Sequence, residues 1–117
     1  MNTAEFYEKT GSNYQEAKAR MLDDSRILRF VKMFERDTAF ERLRIALSQD
    51  RTEDAFHAAH DLKGVSLTLS LTSLAENASA VTEALRAGDL TGAKALYPAL
   101  EEIYKRVVSL IADLQNS

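Results

Sequence analysis

Residues 52–72 read TEDAFHAAHDLKGVSLTLSLT, and the fold turns on how this stretch is wound. Its first part sets Ala55, Ala59, Leu62, Ser66 and Leu69 at heptad spacing, the mark of an amphipathic helix. Its last part, Val65 to Thr72, alternates apolar and polar over eight residues, which by period alone is a strand. The helix is the consistent choice, because a strand needs a partner to satisfy its backbone and no other segment alternates in this way. A helix is therefore expected from about Thr52 to Ser70, opened by a capping box of Asp50 with Glu53.

Outward from this stretch, helical periods continue on both sides. Upstream, Ile27, Phe30, Val31 and Phe34 share one face, and Phe40, Leu43 and Leu47 resume the pattern after Asp37-Thr38, which reads as a broken helix pair. Downstream, Ser73 with Glu76 forms a second capping box before an inward row of Leu74, Ala78, Val81 and Leu85, closed by Gly88. Asp89 then opens a last helix with Ala93, Leu96, Leu100, Tyr104, Val107, Ile111 and Leu114 as its stripe. Pro98 is expected to kink that helix or delay its regular part. Four glycines and one proline leave few places to turn. The expected fold is all-α: an antiparallel four-helix bundle with an additional short N-terminal helix. The chain reads as one domain over residues 1–117, with its core at about 21–115 and residues 1–20 packing on the bundle.

Composition narrows the function classes. At 117 residues and 45% hydrophobic side chains, the chain can bury a core without staples. The absence of cysteine excludes disulfides, thiolate metal sites and a cysteine nucleophile. A net charge of −3 offers no general attraction to nucleic acid or anionic lipid, so neither is expected as a partner. The longest uncharged stretch, Gly64 to Ala75, is too short and too rich in hydroxyls to span a bilayer, and the N-terminus lacks a signal-peptide pattern. A cytoplasmic location is expected.

Wound at 100° per residue, the helix sets His60 and Gly64 side by side opposite Leu62, with Lys63, Leu67, Leu71 and Phe56 around them. The combination has a chemical logic. A neutral imidazole carries a lone pair able to attack phosphorus. A lysine one turn away can meet the oxygens of a transferring phosphoryl group. A glycine on the same face lets a partner's loops come close, and mid-helix it costs about 0.5–1 kcal/mol relative to alanine. His57 lies one turn before His60; no third histidine or cysteine completes a metal site, so no metal is expected and His57 is read as a surface residue flanking the site. Phe56, Leu67 and Leu71 are expected to form an exposed docking rim, the alternative being that they pack under an N-terminal segment whose Phe6, Tyr7 and Tyr14 need apolar company.

His60-Asp61-Leu62-Lys63-Gly64 resembles the H-x-L-K-G signature of histidine-containing phosphotransfer domains, and the helix layout from about Met21 to Leu114 resembles that family as well. The resemblance implies that His60 is the phospho-accepting residue, Lys63 the phosphate-facing lysine and Gly64 the access glycine. It implies a phosphocarrier, without kinase activity of its own, that shuttles a phosphoryl group between receiver-domain aspartates. Response-regulator receivers are the implied partners, with a hybrid histidine kinase as a further one. No cofactor is expected on this chain, the Mg²⁺ being supplied by the receiver. His57, Phe56, Leu67, Thr68 and Leu71 are expected to contact the partner. The chain departs from the family at two positions: where the family usually has a second glycine, six residues after Gly64, it has Ser70, and Thr68 stands where asparagine is common.

Two other functions compete. In a histidine-kinase dimerisation helix the box continues with a small residue and proline, whereas Gly64-Val65 follows here and no nucleotide-binding loop is present. A monomer is therefore expected. The other competitor is a helical adaptor that binds receivers or other signalling proteins without carrying phosphate.

Overall fold

The computed structural model describes residues 1–115. Among them the chain forms seven helices and no strand: α1 (Thr3–Lys9), α2 (Tyr14–Met21), α3 (Asp24–Phe34), α4 (Ala39–Ser48), α5 (Thr52–Thr68), α6 (Thr72–Arg86) and α7 (Leu90–Gln115). α5 and α6 are the centre of a bundle in which α4 packs on α5 and α7 on α6. Two short helices precede α3 where the sequence suggested one, because Asn2 and Asn13 each accept the backbone N–H three residues on and so open a helix.

The core face of α5 is made of small residues around one leucine, Leu62. Ala55, Ala58, Ala59, Leu62 and Ser66 are all fully buried, which lets α4 and α6 flank the helix closely. The inward row of α6, Leu74, Ala78, Val81 and Leu85, is buried as its spacing predicts. On α7, Ala93, Leu100, Val107, Ile111 and Leu114 are buried, but Leu96 is exposed and Tyr97 takes its place, stacking on Phe40 with ring centroids 5.7 Å apart. Desolvation by this packing pushes the Tyr97 phenol up to about 12. α7 runs through Pro98 without a break or a delayed start. Phe30, expected inward on α3, is exposed.

Neither expected capping box forms. The flanking residues Arg51 and Leu71 occupy the N-cap positions, without a side-chain cap. Asp50 instead ends α4: at φ +56° it is the left-handed residue of that turn, its N–H donating to the Leu47 carbonyl and that of Arg51 to Ala46, while its carboxylate pairs with Lys94 of α7. Ser73 lies inside the first turn of α6 and donates its hydroxyl to the Gly11 carbonyl. Gly88 (φ +74°) does close α6 in the expected way, with Gly88 N–H to Leu85 and Asp89 N–H to Ala84, and the Asp89 carboxylate caps α7 through the Gly92 N–H at 2.8 Å.

The end of α5 decides the alternating segment. The helix stops at Thr68, two residues before the expected boundary, and Ser70 reverses the chain at φ +57°. Ser70 N–H donates to the Leu67 carbonyl and Leu71 N–H to Ser66, the two bonds of a Schellman turn. A left-handed conformation costs a non-glycine residue roughly 1–2 kcal/mol, which accounts for glycine at this position in the resembled family. Here serine is held by its own bonds: its hydroxyl donates to Glu16 at 2.8 Å and its carbonyl accepts the Asn13 N–H at 3.0 Å. Both partners belong to the segment from the start of α2. The same segment and α1 bind the rest of the α5 terminus. Arg20 donates to the Leu67 and Thr68 carbonyls at 2.6 and 2.9 Å, and the fully buried Tyr7 donates its hydroxyl to Leu69 at 2.7 Å. Burial pushes the Tyr7 phenol well above the usual tyrosine range, so its O–H remains a donor.

This turn corrects the expectation for Leu71. The residue lies beyond the reversal, so the wheel of α5 does not apply to it. It follows the turn inward and is fully buried, whereas Leu67, still on the helix, is 51% exposed. Thermal melts of two variants should separate these environments. Leu71→Ala is expected to lose about 2–5 kcal/mol, and Leu67→Ser to stay within about 0.5 kcal/mol of the wild type. Equal losses would contradict the assignment of Leu71 to the core and Leu67 to the surface.

Candidate functional site

The outward face of α5 carries the residues singled out by the sequence, and the core face of the same helix fixes their direction. With Ala59 and Leu62 buried, His60 and Gly64 must point to solvent. His60 is exposed and makes no hydrogen bond among the described residues; its one ring neighbour is Phe56, tilted by 36° with centroids 6.0 Å apart. Its ring nitrogens are therefore open to a reactant. A Cβ built on Gly64 would meet nothing within 4 Å, so no packing inside the chain requires glycine there. The Gly64 carbonyl accepts the hydroxyl of Thr68 at 3.0 Å, which keeps that exposed side chain folded along the helix.

Lys63 is half-buried and turned toward α6. It forms no ion pair among the described residues, so its ammonium is not committed to a carboxylate. It borders a groove of about 310 Å³ between α5 and α6 that is floored by Leu67, Leu71 and Ala75 and reaches Glu16 of α2. Leu71 thus contributes to the floor while remaining inaccessible itself. Asp61 points the other way and binds Arg42 of α4 at 3.0 Å, a bond between exposed groups that ties the two helices.

His57 and Phe56 flank His60 on the N-terminal side. His57 is exposed and lies 3.8 Å from the Glu53 carboxylate, and no cluster of three potential metal ligands occurs among the described residues. Phe56 is half-buried. It does not pack under the N-terminal segment; instead the Arg86 guanidinium of α6 lies 5.0 Å from its ring centroid, itself held by Glu83 at 3.2 Å. Phe56 is thereby supported from behind, with His60 on its other side.

Arg86 and Arg20 are the two residues near this face whose parts the sequence does not disclose. Arg86 lies on another helix, and Arg20 acts on the Leu67 and Thr68 carbonyls, which lie open to it only because α5 ends at Thr68. The positive charge of Arg20 in the last turn of α2 is visible in the sequence, but its receptor is not.

The arrangement presents one uncommitted imidazole, one uncommitted ammonium a turn further on, and a helix surface without a side chain between partner and backbone. Searches among curated proteins and among solved structures found no match. A family description does match: the Hpt domain, over residues 29–110, which begins within α3 and ends within α7. Because the match takes in well over half of the chain and contains the whole α5 face, this chain belongs to the Hpt domain family, whose domains act in histidine phosphotransfer.

Proposed function

We propose that this chain is a cytoplasmic, monomeric phosphocarrier in which His60 takes a phosphoryl group from a receiver-domain aspartyl phosphate and returns it to the aspartate of another receiver. The observation that carries the reading is the solvent-facing, unbonded imidazole of His60 beside the open surface of Gly64. A ring nitrogen donates its lone pair to phosphorus as the aspartyl oxygen–phosphorus bond breaks, and the aspartate leaves as a carboxylate. The reverse reaction uses the same groups. Lys63 faces the phosphoryl oxygens, where its charge favours the transition state more than the resting protein. His57, Phe56, Leu67 and Thr68 form the surface that the receiver covers, with Leu71 beneath it. A receiver domain brings its own Mg²⁺, and this chain contributes positioning and the nucleophile.

The adaptor reading rests on Ser70 and Thr68. Ser70 adopts the left-handed conformation that glycine would supply, and Thr68 folds back on Gly64, so neither residue obstructs the His60 face. The phosphocarrier reading is the better one on that ground.

Four variants test it. After incubation with a phosphorylated receiver, acid-labile label should appear on the wild type and on His57→Gln and be absent from His60→Gln. Label lost in His57→Gln alone would move the site by one turn. Lys63→Ala should melt within about 1 kcal/mol of the wild type and transfer roughly 5- to 150-fold more slowly. A normal rate in a destabilised protein would make Lys63 a structural residue instead. Gly64→Ala should raise the stability of the isolated chain by about 0.5–1 kcal/mol and still slow transfer, because the added methyl group stands where the partner approaches. Faster or unchanged transfer in that variant would remove the access role.

A further inference from the structure

The arginines of this chain are almost all engaged. Six of the nine face a carboxylate within 4 Å, and a seventh, Arg106, donates to the Lys9 carbonyl. The two that remain, Arg29 and Arg36, lie on α3 and in the turn that follows it, with Lys32 between them, also without an ion pair among the described residues. At spacings of three and four residues the three cations form a row about 10 Å long on the side of α3 turned away from Ile27, Val31 and Phe34.

Large apolar side chains gather beside this row. Met33 is 59% exposed and Phe30 41%, and the Arg29 guanidinium lies 5.8 Å from the Phe30 ring centroid. The half-buried Leu28 and Met33 border the row in a groove of about 540 Å³, with Glu35 as its one carboxylate. On the helix surface Met33 lies beside the row, and Phe30 lies further round, joined to the row through the Arg29 guanidinium. The remainder of a chain with net charge −3 is more acidic still, so the row is a local reversal of sign.

We infer that the outer face of α3 is a second docking surface, and that its partner is an acidic amphipathic helix of another protein. Glutamates or aspartates of that helix meet Arg29, Lys32 and Arg36, and its apolar edge covers Met33 and Phe30. A single-stranded nucleic acid could stack a base on Phe30, but it would leave Met33 uncovered and meet a chain whose net charge of −3 opposes its phosphates. Anionic bilayers require a stronger signal than three cations and two apolar side chains on a net acidic chain. The surface is separate from the His60 face: α3 packs chiefly on α1, α2 and α7, and α5 chiefly between α4 and α6. A partner held on α3 therefore leaves His60 free, which suits a tether that keeps the chain near the site of phosphoryl exchange.

The experiment uses the whole chain, isotopically labelled, titrated with a synthetic helical peptide that carries a leucine-phenylalanine face edged by glutamates. Saturable amide shifts should be confined to about residues 25–36 and weaken with added salt. The triple variant Arg29→Gln/Lys32→Gln/Arg36→Gln should bind roughly tenfold more weakly, and Met33→Ser should also lose affinity. Both should melt like the wild type and accept label on His60 at the wild-type rate, so loss of phosphoryl transfer in the parent chain would count against the proposed function and not against this surface. The inference is overturned if α3 shows no saturable shift, if shifts follow α5 instead, or if the triple variant binds the peptide as the wild type does. It is also overturned if phosphatidylglycerol–phosphatidylcholine vesicles displace the peptide from α3, or if sedimentation shows the same residues mediating self-association.

Discussion

The left-handed reversal at Ser70 is the constraint on which the rest of the structure depends. It leaves the Leu67 carbonyl with only the turn's own N–H bonds and the Thr68, Leu69 and Ser70 carbonyls in need of partners at the end of the helix that bears His60. Each is met from the N-terminal segment: Arg20 on the first two, Tyr7 on the third, the Asn13 N–H on the fourth. A charged donor at the last carbonyls also complements the negative end of the α5 dipole. The two short helices outside the Hpt match are thus not an appendage lying on a finished bundle. They complete the hydrogen bonding of its central turn, and through it they set where α5 ends and where Leu71 enters the core.

Because that turn and the small-residue core face hold α5 in place, its outer face is released from any part in folding. Among the described residues His60 has no polar partner, Lys63 no counterion, and Gly64 no neighbour that excludes a methyl group. Each is a deficit by the measure of folding alone, since a glycine within a helix and an uncommitted charge contribute nothing to stability. Such deficits collect where a second molecule supplies the missing contacts. Phe56 differs from these: the Arg86 guanidinium of α6 lies 5.0 Å from its ring centroid and the His60 ring 6.0 Å from it.

Period and punctuation made most of this legible in the sequence. The rows on α4, α5 and α6 are buried as their spacing demands, and Gly88 with Asp89 marks the α6–α7 turn at its actual position. The alignment of His60, Gly64 and Leu67 needs no more than helical winding. What the sequence could not show depended on contacts between distant segments. Asp50 and Ser73 have the chemistry of helix caps, but Lys94 and Gly11 claim their side chains. Leu71 falls on the exposed side of a wheel that stops applying two residues earlier, and a serine at a left-handed position gives no warning of that stop. Phe30 and Leu96 match the period of their helices and remain exposed, since period shows which residues share a face and not how far a neighbouring helix extends over it.

The same distinction separates the two surfaces of the molecule. On α5 the exposed residues are chemically specific, an imidazole and an ammonium at fixed spacing, and they lie within the Hpt match. On α3 the exposed residues are generic, and only their collective imbalance carries information. Five arginines outside α3, and Arg26 in its first turn, are paired with carboxylates within the chain itself, so charge pairing is the rule that Arg29 and Arg36 break. An uncommitted row of cations beside exposed Phe30 and Met33 keeps both its electrostatic and its apolar energy for an encounter. Placing that row on a helix that does not pack chiefly on α5 separates recognition from chemistry. Under the proposed function, a carrier that must release one receiver and engage another gains from a contact that does not compete with either exchange.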